Sequence, residues 1–470
     1  MARTRRLRRS KHKSRKHRGG KYVGEGSYGC GYLPALRCEG EAERAPGMFS
    51  KLMEAEEAQK EFDIGVRWFK PVDPDHKYFL YPKKICPINQ AVLPNPENNT
   101  ERCQDKFDTL DDARLLQFYN GGIDPSKIHI DAEDYIPYFS AFKNLFDGLS
   151  KLHKKNIAHM DIKTGNLVGM KDTPTSFHFR FIDFGLAMNI NESYATPIDD
   201  EKYMNDYFAW PFDTRFIYKW FDESLISFSR VKRYFMNAVH FQTYIPLEIF
   251  YASNNTDYSF DSNDFKRIYD MFLYDIPDEE KLGFITKGTD VFSLGQVLSI
   301  LYAKKIGHYY RHGGKLCLDP RDSTRKILLS DLQPLIPADV YAWHQEVFDT
   351  VSIPIYNLVK QMMDLNPFNR ITIDTAKQAF VAILPQIARL FKPDLIRKGL
   401  RIYNTEISPL PPPPPSPGKT PIPFPLSPLN KPPLERQMGQ RRLVLRPNAP
   451  AFVPGKGLSG SSARRARNAF

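Results

Sequence analysis

The chain has 470 residues, of which 41% are hydrophobic and 26% are charged, an ordinary composition for a soluble globular protein. It has no stretch of about 18 consecutive apolar residues, so we expect no membrane span, and its charged N-terminus lacks the apolar segment of a secretory signal. The net charge of +12 is uneven: residues 1–21 carry +11, residues 408–470 carry +9 and the rest carry −8. Any affinity for polyanions therefore belongs to the two tails.

The five cysteines are odd in number and scattered, and none forms a Cys-x-x-Cys pair. They are Cys30, Cys38, Cys86, Cys103 and Cys317. This distribution favours a reducing compartment and argues against a disulfide framework or a zinc site.

The first predicted element is a disordered basic arm, residues 1–21, which has too few apolar residues to form a core. A strand-like start at Tyr22-Val23 then leads into Gly24-Glu25-Gly26-Ser27-Tyr28-Gly29. Glycines at this spacing let backbone N–H groups approach phosphates closely, although a simple glycine turn is the alternative. A dinucleotide-binding turn would need a helix directly afterwards, and residues 30–34 do not begin one, so a glycine-rich hairpin is favoured.

The next predicted pair of elements is a strand followed by a helix. The apolar run 48–53 contains Lys51, and a charged residue in such a run needs a partner unless it is a solvated lysine on an edge strand. Residues 54–70 predict a helix, with acidic residues early and basic residues late. Glu61 on this helix is the favoured partner of Lys51, and Glu57 and Glu54 are alternatives because the helix phase is open.

The remaining predicted elements alternate between short strands and apolar helices. Residues 78–81 and 115–119 predict strands, and Gly121-Gly122 predicts a break. Residues 135–153 have the apolar periodicity of an amphipathic helix, and the apolar residues 290–302 predict a buried helix. After about residue 405 the chain becomes proline-rich.

The most specific pattern is His159-x-Asp161-x-Lys163-x-x-Asn166, followed by Asp183-Phe184-Gly185. Transfer of a γ-phosphoryl group requires bound phosphates, neutralised charge and a positioned acceptor hydroxyl. Asp161 is suited to accept the proton of that hydroxyl, and Lys163 to contact the transferred group. Asn166 and Asp183 offer the oxygen ligands that Mg²⁺ prefers, with Mn²⁺ as an alternative. Lys51 and Glu61 would orient the α- and β-phosphates of ATP.

Over about residues 22–385 these motifs resemble the eukaryotic-type protein kinase family. The resemblance also covers Asp290-Val-Phe-Ser-Leu-Gly295, which looks like a buried family helix. It implies an α+β, bilobal fold with a small β-rich N-lobe, a larger helical C-lobe and flanking disordered basic tails. The implied boundaries are 1–21, 22–122, 123–405 with an insertion at about 214–285, and 406–470. The implied nucleotide-binding residues are Val23, Gly24, Gly26, Ser27, Gly29, Lys51, Asn166 and Asp183.

Two finer resemblances narrow this expectation. Lys163 resembles the Ser/Thr-specific branch of the family. The phrases Gly-Ser-Tyr-Gly-Cys-Gly-Tyr and Phe-Ser-Lys-Leu-Met, together with the Arg-rich leader, resemble divergent kinases of nucleocytoplasmic large DNA viruses. This second resemblance implies a viral protein in the cytoplasm or nucleus of a host cell, with the virus particle as a further location, and not a secreted protein.

Three residues depart from the family pattern. Met160 stands where an Arg usually precedes the catalytic Asp, so control by phosphorylation of the activation loop is not expected. Phe49 stands where a small Ala usually packs on adenine, and Gly31 stands where a Val usually does. These two changes leave the preference between ATP and GTP open.

The family's Ala-Pro-Glu element, whose acid pairs with a late arginine, has two candidates here. Residues 366–370 resemble the segment that carries the late arginine, Arg370. Pro211-Phe212-Asp213 has the normal distance from Asp183 but offers Asp in place of Glu, whereas Pro246-Leu247-Glu248 keeps the Glu at an unusual distance. The first candidate is favoured, which makes residues 214–285 an insertion.

The sequences of the two tails predict binding partners rather than catalytic residues. Residues 1–21 fit nuclear targeting or sequence-independent nucleic-acid binding, with a solubilising arm as the alternative. The proline-rich residues 408–433 fit a stiff spacer or a docking segment. Residues 445–454 resemble the motif that binds the peptide-binding domain of poly(A)-binding protein, with Leu445 and Phe452 as anchors, Pro454 as a further match and Arg446 as a departure.

The leading function is therefore a Ser/Thr protein kinase that uses ATP and Mg²⁺. A pseudokinase or adaptor that recruits partners through its tails is the alternative from another class. A kinase-fold enzyme that acts on small molecules is a third.

Overall fold

The structure is a computed structural model, and the chain divides into two units, residues 1–408 and 409–470. All described residues belong to the first unit: 20–26, 29–42, 47–89, 103, 109–195, 209–220, 228–229, 262–306, 308–312, 315–319, 327–328, 333–334 and 337–404. Several sequence predictions fall outside them, namely those for the basic arm up to residue 19, Ser27, Pro246–Glu248, most of the segment 214–285, and the proline-rich tail with its motif at 445–454.

A five-stranded antiparallel sheet forms the N-terminal part of this unit. Its strand order is β1-β2-β3-β5-β4. The strands are β1 (Lys21–Gly26), β2 (Gly29–Leu33), β3 (Met48–Glu54), β4 (Lys84–Cys86) and β5 (Ala113–Tyr119). Because side chains alternate along a strand, Leu52 and Leu115 pack on one face of the sheet. Met53 and Leu116 pack on the other face, against Ala58 of helix α1.

The rest of the unit is mainly helical. Its helices are α1 (Ala55–Ile64), α2 (Tyr135–Ser140), α3 (Phe142–Lys154), α4 (Ile190–Ala195), α5 (Ser262–Asp270), α6 (Asp278–Ile306), α7 (Ala338–Val347), α8 (Ile353–Met362), α9 (Ile373–Leu390) and α10 (Pro393–Asn404). Short strands lie between them: β6 (Ile157–Ala158), β7 (Leu167–Thr173), β8 (Ser176–Phe181), β9 (Met188–Asn189), β10 (His308–His312), β11 (Lys315–Asp319) and β12 (Ile327–Leu328). The largest apolar core joins α3, α6, α8 and α9.

The periodicity at 135–153 and the apolar run at 290–302 are confirmed as helices. The first forms α2 and α3, which are separated at Ala141, and buries Leu145, Phe146 and Leu149. The second is the buried centre of α6, which begins 12 residues earlier, at Asp278, inside the predicted insertion. The strand at 115–119 is also confirmed, as part of β5.

The strand predicted at residues 78–81 is wrong. Only Phe79 forms an isolated bridge, to Phe181. The backbone N–H groups of Lys77, Tyr78 and Phe79 donate to the carboxylate of Asp73, so a local turn takes the donors that a sheet ladder would use. The helix predicted at 54–70 is α1, which continues into a π-helix at Gly65–Phe69.

The expectation of a chain without a disulfide framework is also wrong. Cys30 of β2 is bonded to Cys103, and Cys38 is bonded to Cys86 of β4. The paired Cα atoms are 6.1 and 5.7 Å apart, within the usual range for disulfides. The sequence separations of 73 and 48 residues explain why spacing did not reveal the pairs, because only the sheet brings these positions together. Among the described residues, no helix is both long and apolar enough to cross a bilayer.

Candidate active site

A cleft with a volume of about 540 Å³ lies between the sheet and the helical part of the unit. The sheet contributes Val23, Gly24, Gly29 and Lys51 to its lining. Gly121 and Gly122, which follow β5, also line it. The helical part contributes Asn166, Leu167 and Asp183. Most of the residues that the sequence assigned to nucleotide binding therefore border one cavity. Gly26 ends β1 beside Gly29, and Ser27 lies outside the described residues.

Lys51 and Glu61 form the first functional pair in this cleft. Lys51 Nζ donates to Glu61 Oε2 at 2.6 Å, so β3 and α1 are joined by a buried ion pair. Glu57, one of the alternative partners, contacts Lys60 instead. Burial acts to lower the pKa of Lys51, but the carboxylates of Glu61 and Asp183 outweigh it and raise that pKa above its usual value. Lys51 is therefore a fixed positive charge, with Asp183 Oδ1 3.8 Å from its Nζ.

The loop between β6 and β7 brings Asp161, Lys163 and Asn166 together. Lys163 Nζ donates to both carboxylate oxygens of Asp161, at 3.1 and 3.2 Å. Asn166 Nδ2 donates to Asp161 Oδ2 at 2.6 Å and to its backbone oxygen at 2.9 Å. These hydrogen bonds hold Asp161 in one orientation. A carboxylate that is to accept a proton needs such a fixed position.

The carboxylate of Asp290, on α6, binds the same loop. Its two carboxylate oxygens accept the backbone N–H groups of His159 and Met160, both at 2.8 Å, and the ring of His153 at 3.0 Å. Asp290 is fully buried, and these charge-assisted hydrogen bonds fix the loop to the longest helix.

Asp183 stands at the start of a strained segment. Its φ is 63°, and Met160 has a φ of 62°, a region that residues other than glycine rarely adopt. Such strain is typical of functional sites, where the surrounding structure holds it in place. Phe184 follows and stacks on Phe69 with ring centroids 3.9 Å apart, while His159 packs edge-on against Phe184 at 5.3 Å. These aromatic contacts link the π-helix after α1, the segment at Asp183 and the loop between β6 and β7.

A match with known proteins agrees with this geometry. Residues 126–209 match the model of the protein kinase domain. The chain is also similar to two sequences of Mitogen-activated protein kinase MPS1, from Pyricularia oryzae and its strain 70-15, each 24% identical over 192 residues. The similarity covers 40% of this chain and 40% of each relative. Together, match and geometry support a eukaryotic-type protein kinase domain.

Met160 lies in an apolar cluster where the family pattern has an arginine. Its side chain is fully buried with Met188, Trp210 and Phe216. Trp210 Nε1 donates to the backbone oxygen of Met160 at 2.6 Å, which holds the segment around residue 210 against the loop between β6 and β7. A guanidinium at this position would have apolar neighbours.

Arg370 selects one of the two candidates for its acidic partner. Its Nη1 and Nη2 donate to the two carboxylate oxygens of Asp213 at 3.0 and 2.8 Å. The favoured candidate, Pro211-Phe212-Asp213, is therefore the one that the structure places at Arg370. The same segment also contacts α6, because Thr214 Oγ1 lies 2.9 Å from Thr289 Oγ1.

Two of the residues that shape this candidate site were not found from the sequence. Phe69 was assigned only to a helix, and the π-helix that turns its ring toward Phe184 has no signal in the apolar pattern. Trp210 could have been found, because a tryptophan directly before Pro211 is a large apolar residue beside a predicted functional element.

Proposed function

We propose that this protein is a kinase that transfers the γ-phosphoryl group of ATP to Ser or Thr hydroxyls of protein substrates. The observation that carries the proposal is that the Lys51–Glu61 ion pair, Asp183 and Asn166 line one cleft, and that the side chain of Asn166 holds Asp161 in its orientation. A largely buried lysine that is paired with a buried glutamate in a cleft supports a functional site.

The donor set of the cleft fits Mg²⁺ and ATP. Asn166 commits its side-chain nitrogen to Asp161, which leaves its amide oxygen as the atom available to a metal. Asp183 supplies a carboxylate in the same cavity, and hard oxygen ligands of this kind suit Mg²⁺ and also Mn²⁺. Lys51 supplies the cation for the phosphates. When bound, the nucleotide supplies the phosphoryl group and the metal neutralises its negative charge.

Residues of the chain supply the other requirements of phosphoryl transfer, namely a proton acceptor, a positive charge and the orientation of Lys51. Asp161 accepts the proton of the substrate hydroxyl, in the orientation set by Asn166. Lys163 lies next to Asp161 and places a positive charge where negative charge develops during transfer. Glu61 keeps Lys51 directed into the cleft, so α1 must remain docked for activity.

The finer parts of the proposal rest on the sequence. Specificity for Ser and Thr rests on Lys163 and on the similarity to a MAP kinase. Origin from a large DNA virus, and with it a location in the host cytoplasm, nucleus or virus particle, rests on the glycine-loop and Phe-Ser-Lys-Leu-Met phrases. A mass-spectrometric map of phosphosites on a peptide library would test the residue preference, because phosphotyrosine products would contradict it.

The test of the function is phosphoryl transfer from labelled ATP to a generic protein substrate and to the enzyme itself. We expect wild-type protein to incorporate label and Asp161→Asn to lose nearly all of it. Asp172→Asn, the same chemical change at a residue that pairs with His178 outside the cleft, is the matched control and should keep activity. Equal label with wild type and Asp161→Asn, or none from wild type with either ATP or GTP, would favour the pseudokinase or adaptor.

The proposal also includes binding partners for the two tails. We propose binding of poly(A)-binding protein through Leu445 and Phe452, because an isolated apolar pair in a polar tail needs a partner pocket. We further propose salt-sensitive nucleic-acid binding by residues 1–21. A pull-down of poly(A)-binding protein that is unaffected by Phe452→Ala would contradict the first. Nucleic-acid affinity that persists without residues 1–21 would contradict the second.

A further inference from the structure

A second cavity, with a volume of about 690 Å³, lies in the helical part of the unit. It is bordered by the end of α3, the start of α4, the first half of α6 and the start of α9. Its volume is typical of ligand pockets, and it shares no lining residue with the cleft that contains Lys51. Phe284 and Lys287, on one of its walls, belong to the 12 residues by which α6 begins before Asp290. The cavity therefore depends on a segment outside the helix motif that starts at Asp290.

Lys287 is a charged residue of this cavity for which the described part of the chain offers no acidic partner. Its Nζ donates to Asn156 Oδ1 at 2.7 Å. An ammonium group has three N–H donors, so two of them remain for a ligand. Burial lowers the pKa of Lys287 and no carboxylate offsets this effect, which is the reverse of the situation at Lys51. An incoming anion would supply the missing negative charge.

The other charged side chains of the cavity do not compensate Lys287. Glu280 is exposed, so solvent screens its charge, and it forms no ion pair with Lys287. The remaining charged side chains have partners of their own, in the pairs Lys154–Asp374, His153–Asp290 and Arg370–Asp213. The cavity therefore has an unmatched positive charge, which favours an anionic occupant.

The walls around Lys287 are partly apolar and partly polar. Ile190, Phe284 and Ile371 supply apolar surface. Asn191 and Thr372 supply polar side chains. An acyl chain in this space would cover the polar groups with hydrocarbon, which costs free energy, whereas the backbone of a peptide can form hydrogen bonds with them. The lining therefore favours a protein segment over a lipid.

The cavity also borders the segment that follows the candidate active site. The backbone oxygen of Asn156 accepts the N–H of Ile190 at 2.8 Å, and Asn156 Nδ2 donates to Asn191 Oδ1 at 3.2 Å. The residue that holds Lys287 therefore also holds the start of α4, which follows Asp183 in the chain. An occupant of the cavity would contact both.

We propose that this cavity is a docking site for an acidic segment of a protein substrate. A carboxylate or phosphate group of the segment binds Lys287, because both offer the oxygen acceptors that an ammonium group needs. A large apolar side chain next to that group packs against Phe284 and Ile371. The use of the site for substrates rests on the proposed kinase function, whereas the binding itself does not.

The test measures, by fluorescence anisotropy, the binding of three sets of short labelled peptides to the full chain. The central residue is Glu in one set, phosphoserine in the second and Lys in the third, and the neighbouring apolar residue varies within each set. We expect binders in the first two sets and none in the third. Lys287→Gln, which keeps a donor for Asn156, weakens these binders about tenfold, the usual contribution of a charged hydrogen bond.

Charge reversal separates this role from a structural one. Lys287→Glu loses the acidic peptides and gains binders from the Lys set, a gain that a misfolded variant would not show. Lys304→Gln, the same change as Lys287→Gln at an exposed lysine in the last turn of α6, is the matched control and leaves binding unaltered. When the best acidic segment is fused to a generic substrate, we expect it to lower KM for wild type but not for Lys287→Gln, with kcat unchanged.

The possible failures of the two proposals are distinguishable. The docking site is overturned if no acidic peptide binds wild type, or if binding does not depend on Lys287. Sodium oleate that binds in a Lys287-dependent manner, without any peptide that does so, would also overturn it and would identify an anionic lipid as the occupant. The kinase function stands in each of these cases if wild type transfers label from ATP. Peptide binding that depends on Lys287 in a protein without phosphoryl transfer overturns the kinase function and the substrate role, and indicates an adaptor.

Discussion

Arg370 and Asp213 form a bidentate ion pair whose side chains are only 2% and 1% exposed. The two residues are 157 positions apart, and their contact joins the segment at residue 213 to the loop that precedes α9. Arg370 also donates twice to the backbone oxygen of Asp364, so its guanidinium makes four hydrogen bonds in all. Loss of either charge would leave the other buried without compensation.

We therefore predict that Asp213→Ala lowers the free energy of unfolding by about 3–5 kcal/mol, the usual cost of an unpaired buried charge. The matched control is Glu346→Ala, which breaks the ion pair with Arg389 at 2.6 Å between side chains that are nearly half exposed. That change should cost less than about 1 kcal/mol, because solvent screens an exposed pair. Urea unfolding measures both. Similar midpoints for the two variants would contradict the importance of the buried pair.

A second prediction concerns the apolar surroundings of Met160. The change Met160→Arg would restore the family's usual residue but would bury a guanidinium among Met188, Trp210 and Phe216. We expect it to lower the melting temperature and to create no dependence on activation-loop phosphorylation. Met160→Leu, which conserves apolar volume, should cost less than about 1.5 kcal/mol. An Arg variant as stable as wild type, with activity that rises on phosphorylation, would show that a phosphate clamp can form here.

The residues whose proximity in the fold follows from the sequence are those with signals that are local in the chain. Asp161, Lys163 and Asn166 lie within six positions, so their convergence follows from one loop. From the sequence, Glu61 could be preferred over Glu57 as the partner of Lys51, but the choice could not be settled. A one-residue change in helix phase rotates the side chain by about 100°. The structure determines that phase through the 2.6 Å contact with Lys51.

The features that the sequence did not reveal depend partly on distant parts of the chain and partly on local backbone geometry. Phe69 reaches Phe184 because a π-helix extends α1, and Asp73 turns residues 77–79 away from the strand that their apolar character predicted. The two disulfides join positions whose spacing carries no information. The disulfides thus depend on the sheet that brings distant positions together, whereas at residues 77–79 a local contact with Asp73 overrides the apolar pattern.

A third prediction follows from His344, which joins α7 to α10. Its Nε2–H donates to the backbone oxygen of Gly399 at 3.1 Å, and burial lowers the pKa of His344 to about 4. In the unfolded chain this pKa is about 6.5. The folded state therefore favours the neutral ring, and its stabilising contribution is complete above pH 6.5 and is lost as the pH falls toward 4. A pKa difference of this size corresponds to about 3 kcal/mol.

We expect the urea midpoint of wild type to fall between pH 7 and pH 4.5 more steeply than that of His344→Gln, which keeps a donor but does not titrate. The comparison uses the change with pH within each protein, so a constant cost of the substitution does not affect it. Parallel pH profiles for the two proteins would mean that His344 is not the responsible group.

The last prediction concerns the disulfides on the sheet face opposite α1. Cys30, Cys38, Cys86 and Cys103 are all buried there together with Leu52 and Leu115. Closing loops of 73 and 48 residues reduces the entropy of the unfolded chain, and each bond alone is worth about 4 kcal/mol in the chain-entropy treatment. The shorter loop lies within the longer one, so both bonds together are worth less than twice that amount.

We expect a phosphine reductant to lower the urea midpoint of wild type, and Cys38→Ser/Cys86→Ser to lower it in part and to respond less to further reduction. Cys317→Ser is the matched control, because Cys317 belongs to neither pair, and its midpoint should respond to reduction as wild type does. Thiol counting under denaturing, non-reducing conditions should find one reactive cysteine in wild type and none in Cys317→Ser. Five reactive thiols in wild type, with an unchanged midpoint after reduction, would contradict the pairing. The core around Leu52 would then hold the cysteines together by packing alone, because their burial does not depend on a covalent bond.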